Sequence, residues 1–195
     1  EQYRALARYN RWINRKLFAA ALRLSDDERK LDRAAFFRSI HLTLNHLSGY
    51  AGSAGWPDWE LPFIEWAERE GFEIGVCTNA DLETHPEVLD GAGLYLSVGH
   101  DEYWSAGMRD TVEAFIGRGG SAAFFSGNTS LWQVRLEGDD HDVMVGYKGF
   151  FKRDPVFGTD RVGELTSIWS DFLIERPENH MTGVSFARGG YHRIG

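Results

Sequence analysis

The residues whose types and spacing could do chemistry are His100, Asp101 and Glu102, which follow the run Leu94-Tyr95-Leu96-Ser97-Val98-Gly99. An imidazole and a carboxylate on alternate positions of a tight loop can approach one small volume. Carboxylate oxygen and imidazole nitrogen suit iron, zinc or manganese, and an ion held there would polarise a carbonyl or acidify a water. The plainer alternative is a helix N-terminus stabilised through its dipole by Asp101 and Glu102. Asn128, in Ser126-Gly127-Asn128-Thr129-Ser130, could aim an amide at a developing oxyanion or simply satisfy its own turn. Lys148, in Gly146-Tyr147-Lys148-Gly149, could support a site electrostatically or lie exposed on a strand. Ser126-Gly127 is not a Gly-x-Ser-x-Gly elbow, so a serine nucleophile is not indicated.

The elements that must position these residues read as a β-α-β rhythm. The apolar run ahead of His100 predicts a buried strand, and Gly99 lets the chain turn sharply. Ser105 can cap a helix whose stripe is Met108, Val112, Ala114, Phe115 and Ile116, stopped at Arg118-Gly119-Gly120. A second strand follows over residues 121–126. Such alternation implies a parallel sheet covered by helices, with its site outside the carboxyl ends of the strands. Upstream, Leu61, Ile64, Trp66 and Ala67 predict a helix ended by Gly71, residues 72–77 a strand, and residues 79–90 a polar connection with one helical turn. Downstream, Trp132, Val134 and Leu136 alternate with polar residues, Gly138-Asp139-Asp140 supplies a turn, and Val143, Val145 and Tyr147 alternate in return. That is a hairpin. Residues 167–169 and 183–186 read as further short strands.

The N-terminal stretch has a different texture. Leu6, Tyr9, Ile13, Leu17, Ala20 and Leu24, then Phe36, Phe37, Ile40, Leu44 and Leu47, fall at helical spacing and predict an α-helical hairpin over residues 1–47. A small-residue stretch over residues 48–55 marks the boundary with a domain over residues 48–195.

At 195 residues and 43% hydrophobic content the chain can bury a core, and its length favours one domain plus an attachment. A formal charge of −8 argues against nucleic acid or an anionic membrane as partner. The single cysteine, Cys77, lies in an apolar run and reads as a buried, inert thiol. With no transmembrane-length apolar run and no signal-peptide pattern, a cytoplasmic protein is expected.

Longer motifs carry two resemblances. The segments 56–63, 77–81, 97–105, 125–129 and 181–192 make residues 50–195 similar to the large (beta) subunit domain of the N,N-dimethylformamidase family. That resemblance implies a glutamine-amidotransferase-like α/β sandwich and metal-dependent hydrolysis of a small amide, by an assembly with a partner subunit or a second copy. It also implies a mononuclear iron held by two tyrosines and a glutamate. Glu102 matches the glutamate and Tyr50 one tyrosine, while His100, Asn128 and Lys148 match polar residues around the metal. The second tyrosine and a further glutamate have no counterpart here, which implies a domain truncated at its C-terminus and an impaired activity. Residues 9–12 and 39–47 resemble the opening of the DinB-like family of four-helix bundles, whose first metal-binding histidine matches His46. The later His-x-x-x-His pair of that family is missing. Two rival readings are a non-catalytic α/β interaction or assembly module and, from His46, a DinB-like metal-dependent transferase.

Overall fold

The structure is a computed structural model whose described residues are 59–186. By compactness the chain divides into two units, Glu1–Val76 and Cys77–Gly195. The helical hairpin expected over residues 1–47, the boundary expected at residues 48–55, and both His46 and Tyr50 lie outside the described residues.

In the first unit the described part centres on one helix, α1 (Leu61–Arg69), with Pro62 in its first turn, where its missing N–H is not needed. It stops as the sequence predicts. Gly71 takes a φ of +86°, its N–H bonds to the Glu68 carbonyl, and the Phe72 N–H reaches back to the Ala67 carbonyl. This doubly bonded stop is completed by ring contact between Phe72 and Trp66, 6.1 Å between centroids.

In the second unit the elements run α2 (Asn79–Thr84), a 3₁₀ turn (Pro86–Leu89), β1 (Leu94–His100), β2 (Tyr103–Ser105), α3 (Ala106–Gly117), β3 (Ser121–Gly127), β4 (Trp132–Glu137), β5 (Val143–Val145) and the short α4 (Asn179–Thr182). β1 and β3 pair in parallel from Leu94 opposite Ser121 to His100 opposite Gly127. β2 pairs in parallel with β4, and β4 in turn pairs antiparallel with β5. The class is therefore α/β, and the hairpin is where alternation placed it.

α3 begins where Ser105, as its cap, accepts a hydrogen bond from the Met108 N–H. It ends on Gly119, at φ +99°, with the Gly119 and Gly120 N–H groups bonded to the Ile116 and Phe115 carbonyls. Its apolar stripe, Met108, Val112 and Phe115, packs with Leu82, Leu89, Tyr95, Trp104 and Trp169 into the core. Each such buried side chain contributes about 1.5–3 kcal/mol. Gly119→Ala forces a Cβ into the left-handed region and is expected to cost about 1–2 kcal/mol, read as a lower midpoint in urea unfolding. An unchanged midpoint would show that the turn relaxes without strain.

Four expectations need correction. Residues 72–77 form no strand: Phe72 is committed to the stop of α1, and no neighbouring strand among the described residues pairs with the stretch. Cys77 is consequently exposed rather than buried. Residues 183–186 also form no strand, because α4 ends there on Gly183 at φ +77°, while Ile168 makes only an isolated bridge to Trp132.

Candidate functional site

Strand β1 delivers His100 at its last position, opposite Gly127 at the end of β3. Gly99, at φ +90°, swings the chain there. A Cβ on Gly127 would stand 3.2 Å from His100 Nδ1, so a glycine opposite the imidazole keeps room for the ring. Asp101 and Glu102 then separate into two different jobs.

Asp101 points inward and is an anchor. It is buried and accepts hydrogen bonds from Ser97 Oγ at 2.5 Å, Asn79 Nδ2 at 2.5 Å and Trp104 Nε1 at 2.9 Å. Burial raises its carboxyl above the ordinary value, against the lowering effect of those donors. Ser97 Oγ continues to Ser126 Oγ at 2.7 Å and from there to Thr129 Oγ1 at 2.6 Å, tying the end of β1 to the turn after β3. Neither acidic residue lies in the first turn of α3, which is capped by Ser105; the Ser105 hydroxyl in turn donates to the Glu83 carboxylate. The dipole explanation for the acidic pair therefore does not apply.

Glu102 is also buried, at 6% exposure, but its partners are of another kind. Oε2 lies 3.1 Å from His100 Nε2, and Oε1 accepts from the Trp132 indole N–H at 2.8 Å. The Trp132 backbone N–H donates to the Glu102 carbonyl at 2.9 Å, the first rung of the β2–β4 pairing region. No lysine or arginine pairs with this carboxylate among the described residues. A buried carboxylate served by neutral donors and one imidazole is an electrostatic deficit that a bound cation would fill.

Lys148 arrives from the other side. Its Nζ donates to Tyr103 Oη at 2.7 Å and lies 4.9 Å from the centroid of the Tyr103 ring and 5.2 Å from that of Trp132. Burial first, and then the adjacent Glu102 carboxylate, lift the Tyr103 phenol well above its ordinary value, so it stays protonated. The backbone around the site is strained: Asn128, Ser130 and Lys148 all sit at φ between 52° and 53° without being glycine. Lys148 is held in that conformation by its N–H to the Thr166 carbonyl at 2.9 Å.

The structure thus brings His100, Glu102 and Lys148 to one place and sets Asn128 immediately after Gly127, the register partner of His100. Tyr50 lies outside the described residues. Sequence reasoning missed Tyr103 and Trp132, which join the others. Tyr103 begins a strand of three residues, and nothing in the spacing from Glu102 to Trp132 announces that β2 and β4 pair. Among the described residues no three His, Cys, Asp or Glu side chains group as metal ligands, and no helix is long and apolar enough to cross a membrane.

Residues 4–194 match the model of the family described as N,N-dimethylformamidase beta subunit-like, C-terminal. An N,N-dimethylformamidase beta subunit from Alcaligenes sp is 31% identical over 91 residues, 44% of this chain and 12% of the relative. The N,N-dimethylformamidase beta subunit from Paracoccus aminophilus is 30% identical over 110 residues, 54% of this chain and 14% of the relative. In each case the chain spans a small fraction of the relative's length. The family match runs through residues 4–47 as well, and it lends no support to the DinB-like resemblance of that stretch.

Proposed function

The chain belongs to the N,N-dimethylformamidase beta subunit-like, C-terminal family, and from that membership we propose that it carries part of a centre for the hydrolysis of a small amide. We place it in a glutamine-amidotransferase-like sandwich, working with a partner subunit in the cytoplasm. The observation that supports this reading is the contact of His100 with the buried Glu102 carboxylate, beside the Lys148 ammonium.

In this reading water adds to the amide carbonyl carbon, the C–N bond breaks, and a carboxylic acid and an amine leave. His100 takes a proton from the attacking water and returns it to the departing nitrogen. The Lys148 ammonium and the Asn128 amide face the charge that develops on the carbonyl oxygen. Glu102 orients His100 and, with Tyr50, would hold the iron that the family resemblance implies. Such an ion would supply Lewis-acid polarisation of the carbonyl and acidification of water.

The test is amine release from small formamides by the full chain, with Glu102→Ala as the comparison. Hydrolysis lost in that variant supports the reading; robust hydrolysis that ignores the substitution sinks it. Metal binding has its own readout. After anaerobic loading with ferrous iron, we expect bound metal in the wild-type chain and its loss in Glu102→Ala, because each missing ligand removes both charge and geometry. Stoichiometric iron that survives the substitution would place the metal elsewhere. The rival is a non-catalytic assembly module. It is favoured if iron binds and no amide is cleaved.

A further inference from the structure

The Lys148 ammonium and the Glu102 carboxylate both contact Trp132 yet form no ion pair with each other. Lys148 meets the Tyr103 hydroxyl and the face of Trp132; Glu102 meets the Trp132 indole N–H and His100. Opposite charges on either side of one side chain attract each other unless something holds them apart. Here Trp132 serves both groups, and the Tyr103 hydroxyl takes the ammonium. One edge of Trp132 serves the carboxylate and its face serves the ammonium, which is the polarity that an indole offers: a donor N–H in the ring plane and a negative π face above it. Lys148 uses one of its three ammonium protons on Tyr103.

We propose that Tyr103 and Trp132 are the positioning residues of this site: they form an aromatic cradle that holds Lys148 and Glu102 apart. The carboxylate remains available to a cation or to His100, and the ammonium to an oxygen of the ligand. The purpose assigned to this separation rests on the amide-hydrolase reading; the separation itself does not.

The experiment uses the full chain and chemical labelling resolved residue by residue by mass spectrometry. Reductive methylation of Lys148 is measured relative to Lys152, which is exposed and lies four positions away. Tyr103→Phe keeps the ring and deletes only the hydroxyl. It is expected to raise the Lys148 to Lys152 ratio about fivefold, the effect of losing one ordinary hydrogen bond. Trp132→Phe keeps a ring face for the ammonium and deletes the indole N–H. It is expected to raise carbodiimide coupling at Glu102 while changing the lysine ratio far less. A general loosening would not discriminate between the two lysines, nor between the two variants. The proposal is overturned if Tyr103→Phe leaves the lysine ratio unchanged, or if Trp132→Phe alters Lys148 and not Glu102. Because neither label depends on turnover, an inactive chain that shows the expected labelling retains the cradle and loses only the hydrolase reading, and an active chain without it does the reverse.

Discussion

His100→Ala is expected to lower amide turnover by about a hundredfold or more, the usual worth of a positioned general acid–base, with the unfolding transition unchanged. The imidazole is at the end of β1, partly exposed, with Nε2 3.1 Å from the Glu102 carboxylate. Removing it therefore takes away a proton carrier without opening the core. Glu102→Gln separates the two roles of the carboxylate: it keeps an acceptor for Trp132 but loses the charge that orients His100 and attracts a cation. We expect Glu102→Gln to be at least as inactive as His100→Ala, and the double variant to be little worse than either single one, since residues acting as a unit are not additive. Initial rates of amine release, with circular dichroism as the fold control, decide it. Full additivity of the two losses would mean that His100 and Glu102 act independently.

The largest stability effect is expected at Asp154. Its carboxylate is buried at 3% exposure and takes both Arg135 guanidinium nitrogens, at 2.8 and 2.9 Å, together with the Thr166 N–H at 3.0 Å and the Thr166 hydroxyl at 2.7 Å. Burial alone would raise this carboxyl; the Arg135 and Thr166 bonds outweigh it and lower it from 3.8 to about 2. Breaking such a pair from one side leaves Arg135 without its buried counter-charge, so Asp154→Ala is expected to cost about 3–5 kcal/mol. The pH dependence follows from the direction of the shift. A depressed carboxylate gives stability that is complete above 3.8 and is lost as the pH falls through about 2. At about 1.4 kcal/mol per tenfold change in proton affinity, this amounts to about 2 kcal/mol. The gap between wild type and Asp154→Asn in urea melts should accordingly be widest above pH 4 and narrow below it. A gap independent of pH in that window would show that the carboxylate's charge does not matter. The consequence reaches the site, because Thr166 also accepts the N–H groups of Tyr147, at 2.8 Å to its hydroxyl, and of Lys148, at 2.9 Å to its carbonyl.

Local signals in the chain determined the parts that depend on neighbouring residues. Gly71 and Gly119 stop helices because a left-handed residue must follow the last turn, and that requirement is visible at one position. Ser105 caps α3 because a hydroxyl next to an apolar stripe has few better uses, and the β1–α3–β3 unit follows from alternating periodicity. The same reasoning failed at residues 72–77, where Phe72, Ile74 and Val76 alternate well but no strand stands beside them among the described residues. Alternation describes a strand's faces and says nothing of its hydrogen-bonding edges.

At the site, His100, Glu102, Asn128 and Lys148 were marked by residue type and by their place after strand-like runs, and the chain alone carries that much. Which acid in the pair faces inward was beyond it. Asp101 finds Ser97, Asn79 and Trp104, whereas Glu102 finds His100 and Trp132. That choice depends on the turn after Gly99 and on partners 22 and 30 residues distant. Tyr103 and Trp132 were likewise invisible, because their roles arise from the pairing of β2 with β4 and from a lysine 45 residues along the chain. Only tertiary structure sets such contacts: charge, hydrogen-bond direction and ring faces are read at distances of a few ångströms, and residues far apart in the chain reach those distances only when the strands between them have paired.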